Sequence, residues 1–206
     1  MKSSYLRAVI VLLCAVLLNA CGGNNGSLAL SGTITYAPAG VTVPSFVLIN
    51  NGNGEKVTID SGVTTFIFTK LLATDEQFDV EVVAPGPAGA DCKPSANTGS
   101  ASVYTVYYVT IACTANPYVL GGTVKGLSGA GLVLANGSDT TAVLPAATAG
   151  ADVKFTFPTK VGNSAAYGVS VLTQPAGQTC SVSSTLNPGT MPDADQLGLS
   201  VSCVNN

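Results

Sequence analysis

The feature that most constrains this chain is that it repeats itself. Gly32-Thr33-Ile34 matches Gly122-Thr123-Val124, and Leu48-Ile49-Asn50-Asn51-Gly52 matches Val133-Leu134-Ala135-Asn136-Gly137. Phe66-Ile67-Phe68 matches Phe155-Thr156-Phe157, and Phe78-Asp79-Val80-Glu81-Val82 matches Tyr167-Gly168-Val169-Ser170-Val171. Pro87-Ala88-Gly89 followed by Cys92 matches Pro175-Ala176-Gly177 followed by Cys180. Val109-Thr110-Ile111-Ala112-Cys113 matches Leu199-Ser200-Val201-Ser202-Cys203. The offsets drift only between 85 and 90 residues, so the same unit is written twice in one order.

Each unit reads as strands throughout. Runs rich in Val, Ile, Thr, Phe and Tyr are punctuated by Gly, Asn, Pro and Asp. Phe78, Val80 and Val82 alternate with Asp79 and Glu81, the period of two that gives one apolar and one wet face. No helical period follows residue 20. The expected fold is all-β: two tandem Greek-key β-sandwiches, over 28–115 and 118–206, joined by the short, Pro-containing link Thr114-Ala115-Asn116-Pro117, which should hold them as a semi-rigid tandem.

The beginning of the chain has a different character. Lys2 and Arg7 lie before the start of an apolar run, Ala8 to Leu18, of 11 residues, about half of what a membrane-spanning helix needs. That is the pattern of a secretory signal over 1–20. The following Leu18-Asn19-Ala20-Cys21-Gly22 resembles the lipobox of bacterial lipoproteins. The resemblance implies cleavage before Cys21, attachment of diacylglycerol to its thiol, and usually acylation (palmitate or a similar chain) of the new amino terminus. Cys14 is a poor rival acceptor, because Leu13 is too large for the small site before it. Gly22, rather than Asp, in second place implies the outer membrane over inner-membrane retention. Residues 21–27 then make a lipidated Cys and a short flexible tether.

With a lipidated Cys21, four cysteines remain for the two units. They stand at matching places, 21 residues apart in the first and 23 in the second. We expect Cys92–Cys113 and Cys180–Cys203 disulfides, which persist in an oxidising envelope compartment. Each closes a loop that the chain-entropy model values at roughly 3 kcal/mol. There is no Cys-x-x-Cys and no His, so a metal site or redox pair is not expected. In the last strand of the second unit, Leu197, Leu199, Val201 and Cys203 share one face. In the last strand of the first, Val103, Thr105, Tyr107, Val109, Ile111 and Cys113 do so, leaving Tyr104, Val106 and Tyr108 opposite, either as an interaction patch or as a face covered by the second unit or a long loop.

Residues 118–206 also resemble an Ig-like repeat of surface and secreted proteins of Gram-negative bacteria. The resemblance rests on Gly122-Thr123-Val124-Lys125-Gly126-Leu127-Ser128-Gly129-Ala130-Gly131-Leu132-Val133-Leu134, on Gln174-Pro175-Ala176-Gly177-Gln178-Thr179-Cys180, and on Val201-Ser202-Cys203. Residues 28–115 match it less closely, with about five residues inserted around Pro38 to Pro44. The opening also looks like the sandwich of carboxypeptidase-regulatory-like or transthyretin-like domains. The resemblance implies non-catalytic modules.

The composition narrows the chemistry. Only 9% of the residues are charged, against about a quarter in an ordinary globular protein, and His is absent, which removes the commonest general base. Eight Lys and Arg without a cluster give no footprint for nucleic acid. Lys56, Lys70, Lys93, Lys125, Lys154 and Lys160 fall in no Ser-x-x-Lys pattern on a helix. Asp79 and Glu81 share a strand face but read as solvated, and Pro192-Asp193-Ala194-Asp195 reads as a turn rather than a calcium loop. Gly121 to Gly131 lacks the Lys-Ser/Thr of a phosphate loop. The reading is a lipid-anchored, non-enzymatic envelope protein with no cofactor and no metal. Its partners are the membrane and an unidentified protein or surface, in an adhesin-like or accessory role. The alternatives are a purely structural spacer, and a small-ligand carrier or enzyme.

Overall fold

The computed structural model describes residues 26–103, 108–148 and 150–206. Residues 1–20, expected to be a signal and including Cys14, lie outside them, as do Cys21, Tyr104 and Val106. Of Tyr108, only its place as the first residue of a strand is described.

Eight strands precede residue 116: β1 (Ser31–Ala37), β2 (Phe46–Asn50), β3 (Glu55–Ile59), β4 (Thr65–Ile67), β5 (Gln77–Val82), β6 (Ala90–Ser95), β7 (Thr98–Ser100) and β8 (Tyr108–Ala115). Eleven follow: β9 (Pro117–Tyr118), β10 (Leu120–Lys125), β11 (Leu132–Asn136), β12 (Asp139–Val143), β13 (Val153–Thr156), β14 (Val161–Gly162), β15 (Ala166–Tyr167), β16 (Val169–Thr173), β17 (Gln178–Val182), β18 (Gly189–Thr190) and β19 (Gln196–Asn205). The described residues contain no helix.

In the first half, the sheet β4-β1-β8-β6 faces the sheet β3-β2-β5-β7. Ile34, Val109 and Ile111 from one meet Leu48, Phe78 and Val80 from the other in a single buried cluster. In the second half, β13-β10-β19-β17 faces β12-β11-β16 around Leu120, Val124, Leu134, Val169, Leu199 and Val201. Two packed sheets with alternating inward apolar residues make a β-sandwich, and the chain builds it twice. In both halves the first and last long strands lie side by side and parallel, β1 with β8 and β10 with β19; the other pairs are antiparallel.

The matched blocks take matching places. Phe66 and Phe68 meet edge to face at 5.9 Å, and Phe155 and Phe157 do so at 6.0 Å. The Gly-Thr pair that opens each unit is there because backbone passes close by. A Cβ on Gly32 would lie 2.1 Å from Val109 O, and one on Gly122 2.0 Å from Leu199 O. The residues inserted around Pro38 to Pro44 are anchored by buried Val41 and Val43.

Three readings from the sequence need correction. In the β2/β11 block the equivalence is one residue off. Leu48 and Asn50 are buried in β2 where Leu134 and Asn136 stand in β11, so Asn136 corresponds to Asn50 and not to Asn51. The cause is the turn, four residues between β2 and β3 but two between β11 and β12, which a gapless match absorbs as a slip; in a strand a one-residue slip exchanges the faces. Leu197 is 53% exposed instead of sharing the core face, because the β10–β19 register shifts between Leu120 and Gly122 and breaks the alternation there. Val103 is 59% exposed, since β8 begins only at Tyr108 and parity cannot be carried back past a strand's start.

The link is also more structured than its composition suggests. Thr114 and Ala115 are still in β8, Pro117 is already in β9, and Asn116 alone separates the two strands.

Candidate functional site

The disulfides Cys92–Cys113 and Cys180–Cys203 are both formed. Each joins residues directly opposite in an antiparallel pair, β6 with β8 and β17 with β19. The sulfurs belong to the apolar clusters, so each bridge ties the edge strand to the last strand from inside the sandwich. Cys92 is the most open of the four. It lines a surface hollow of about 200 Å³ with Val82, Pro85, Pro87, Ala90 and Asp91, whereas Cys113, Cys180 and Cys203 are buried.

The carboxylates that might have carried chemistry are engaged in hydrogen bonds, three of them with side chains and one with backbone. Asp79 Oδ2 and Glu81 Oε2 on β5 both accept from Asn51 Nδ2, at 3.1 and 3.0 Å. Asp193 accepts from the Tyr118 hydroxyl, and Asp195 Oδ1 accepts from Val119 N–H at 2.8 Å. The Asp193–Asp195 segment is thus a turn that clasps the entry to the second unit. Its hydrogen bond with Asp193 raises the Tyr118 pKa.

Sequence reasoning missed the most constrained acid, Glu55. It is 8% exposed and follows the β2–β3 turn. Its Oε1 accepts from Thr69 N–H (2.7 Å) and Thr69 Oγ1 (2.6 Å), and its Oε2 from Lys70 N–H (3.0 Å). Burial alone would push the carboxyl up. The Thr69 hydroxyl, the two N–H groups and the Lys70 charge outweigh it and hold it below the ordinary carboxylate value. Asp139, first residue of β12, makes the matching contact by accepting from Thr159 N–H at 3.0 Å. An Asn before a Gly-containing turn and an acid just after it, in both copies, is the signal from which this pair of staples could have been found.

All six lysines of the two units are exposed. Lys93 pairs with Asp91 at 2.8 Å on the open surface, and Lys70 Nζ reaches Asn53 O at 3.5 Å. A larger hollow, about 520 Å³, is lined by Gly26, Asn53, Lys70, Leu71 and Glu76. The Glu76 carboxylate there already accepts from Ala73 N–H at 2.8 Å. Among the described residues no three His, Cys, Asp or Glu side chains gather as metal ligands.

No family model matches this chain, and no curated protein matches it. Solved structures do. The C-terminal fragment of the pilus adhesin SpaC from Lactobacillus rhamnosus GG is 12% identical, with 87% of this chain and 98% of that one covered and a TM-score of 0.33. The major pilin protein (T-13) from Streptococcus pyogenes is 10% identical, with 89% and 98% covered and a TM-score of 0.29. At these scores the matches decide nothing about architecture or role. The class of protein, an all-β chain of two disulfide-braced sandwiches, rests on the strands and cores described above.

Proposed function

We propose that this chain is a lipid-anchored, non-enzymatic protein of the bacterial cell envelope that presents its two sandwich modules, 28–115 and 118–206, for interaction with another protein or surface. The observation that carries this reading is the pair of disulfides at equivalent places in the two cores. Bridges of that kind belong to an exported protein, and the lipobox pattern ending at Cys21 supplies the route and the anchor. Two acyl chains plus one more give stable membrane attachment, since each buried methylene contributes about 0.8 kcal/mol. Outer-membrane placement follows from Gly22, and Tyr104, Val106 and Tyr108 form the contact patch. The carboxylates engaged with backbone favour this reading over a ligand carrier or enzyme.

The test is metabolic labelling with radioactive palmitate, followed by membrane fractionation, of the unaltered protein and of Cys21→Ser. Label and membrane association in the first and neither in the second are expected. An unlabelled parent protein in the soluble periplasmic fraction overturns the anchor. Crosslinking on intact cells then tests interaction. A partner lost when Tyr104 and Tyr108 are both changed to Ser supports the patch, and recovery of no partner leaves the spacer reading. One observation favours a spacer specifically: the residue between the units is hydrogen-bonded to both of them.

A further inference from the structure

Three segments of the first unit meet two consecutive residues of the second. Asn116 donates its N–H to Gly89 O at 2.8 Å, and its own carbonyl accepts from Asn163 N–H at 2.9 Å. The single residue between the units is therefore tied to one of them through its N–H and to the other through its C=O. Beside it, Pro117 pairs with Gly162 and Tyr118 with Val161.

The side-chain space is filled as well. A Cβ on Gly162 would sit 3.1 Å from Pro38 Cδ and 3.3 Å from Ala115 Cβ, both in the first unit. A Cβ on Gly89 would sit 2.5 Å from Asn163 Oδ1. Asn163 is 6% exposed, and Ser164 Oγ donates to its Oδ1 at 3.1 Å. The second unit holds this corner in place through Ser164 N–H on Met191 O (2.9 Å) and Ala165 N–H on Gly162 O (3.0 Å). It also fixes the exit of the link, through Val119 N–H on Asp195 and Gln196 N–H on Val119 O (2.9 Å).

Tandem domains ordinarily swivel, because their contacts are small and their linkers leave the backbone to water. Here the Asn116 bonds fix each side of the link to its own unit, and a swivel about the dihedrals between them would open the packing of buried Gly162 against Pro38 and Ala115 and of Asn163 against buried Gly89. We infer that the two sandwiches move as one rigid body, latched where Gly89, Pro38 and Asn116 meet Gly162–Asn163, so that the second unit is held at one distance and angle from the first. This goes beyond the anchoring reading and holds whether or not Cys21 is lipidated.

The experiment is 15N relaxation and residual dipolar coupling on the purified protein. Couplings from 28–115 and from 118–206 should fit one alignment tensor, with one rotational diffusion tensor for both. Two tensors of different magnitude in the unaltered protein overturn the inference. Gly162→Leu and Asn163→Ala assign the latch. Each should split the single tensor into two while amide dispersion within the two units persists, and a single unchanged tensor in both variants refutes the assignment to these residues. Should a variant lose its dispersion, the couplings of the unaltered protein still decide rigidity.

Discussion

Asn50 and Asn136 stand at the same point of their two sandwiches, and each aims its side-chain oxygen at a backbone N–H of the chain segment beside it. Asn50 Oδ1 accepts from Asp79 N–H and Asn136 Oδ1 from Gly168 N–H, both at 3.0 Å. They differ in depth. Asn50 is 0% exposed, also takes Gly52 N–H at 3.1 Å, and its own Nδ2 has no hydrogen-bond partner.

That difference predicts unequal losses. Asn50→Ala leaves two N–H groups without their acceptor in a closed site, whereas Asn136→Ala leaves one beside solvent. We expect about 2–3 kcal/mol for the first and about 1 kcal/mol for the second. Urea unfolding of the two variants measures both, and equal losses would contradict the assignment.

Glu55 makes stability depend on acid. Its folded-state pKa is held below the unfolded value, so its contribution is complete above the unfolded carboxylate range and is lost as pH falls through the lowered folded value. Glu55→Gln should cost about 2 kcal/mol at neutral pH, because hydrogen bonds to a charged acceptor are exchanged for neutral ones. The difference from the unaltered protein should shrink on acidification; a gap constant from neutral to acid pH would rule out this origin.

The two disulfides should separate under a mild dithiol reductant. Cys92 borders a surface hollow while Cys180, at 3% exposure, and Cys203 lie in the core, and thiol exchange needs access to a sulfur. Timed alkylation and mass spectrometry should find Cys92 and Cys113 modified first. Replacing Cys180 and Cys203 together by Ala should remove about 3 kcal/mol, the value of closing a loop of this length.

The opening glycines should tolerate nothing larger. Gly122→Ala places a methyl 2.0 Å from Leu199 O, backbone that can move only by parting β10 from β19. A loss above about 2 kcal/mol is expected, in the upper range of single substitutions, and Gly131→Ala is the control: nothing lies within 4 Å of its Cβ, so its cost is the local one of a positive φ. Thermal unfolding of the pair distinguishes the clash from the conformational cost.

What the amino-acid sequence determined by itself was whatever depends on local period and on repetition. Alternation at Phe78, Val80 and Val82 set the inward face, and the duplicated Cys positions set the bridges, because neighbouring strands in each copy put matching residues opposite one another. The tertiary structure alone decided what depends on where separate segments meet. The register that pairs Asn136 with Asn50 turned on the length of a tight turn, and the exposure of Leu197 on a bulge against a strand some 75 residues away. The carboxylates of Asp193, Asp195 and Glu55 read as solvated or unremarkable along the chain and found their donors only across it. Glu55 is buried against its donors, while Asp193 and Asp195 meet theirs at the surface; in each case the neighbourhood is assembled from segments distant in the chain, and no window of sequence contains it.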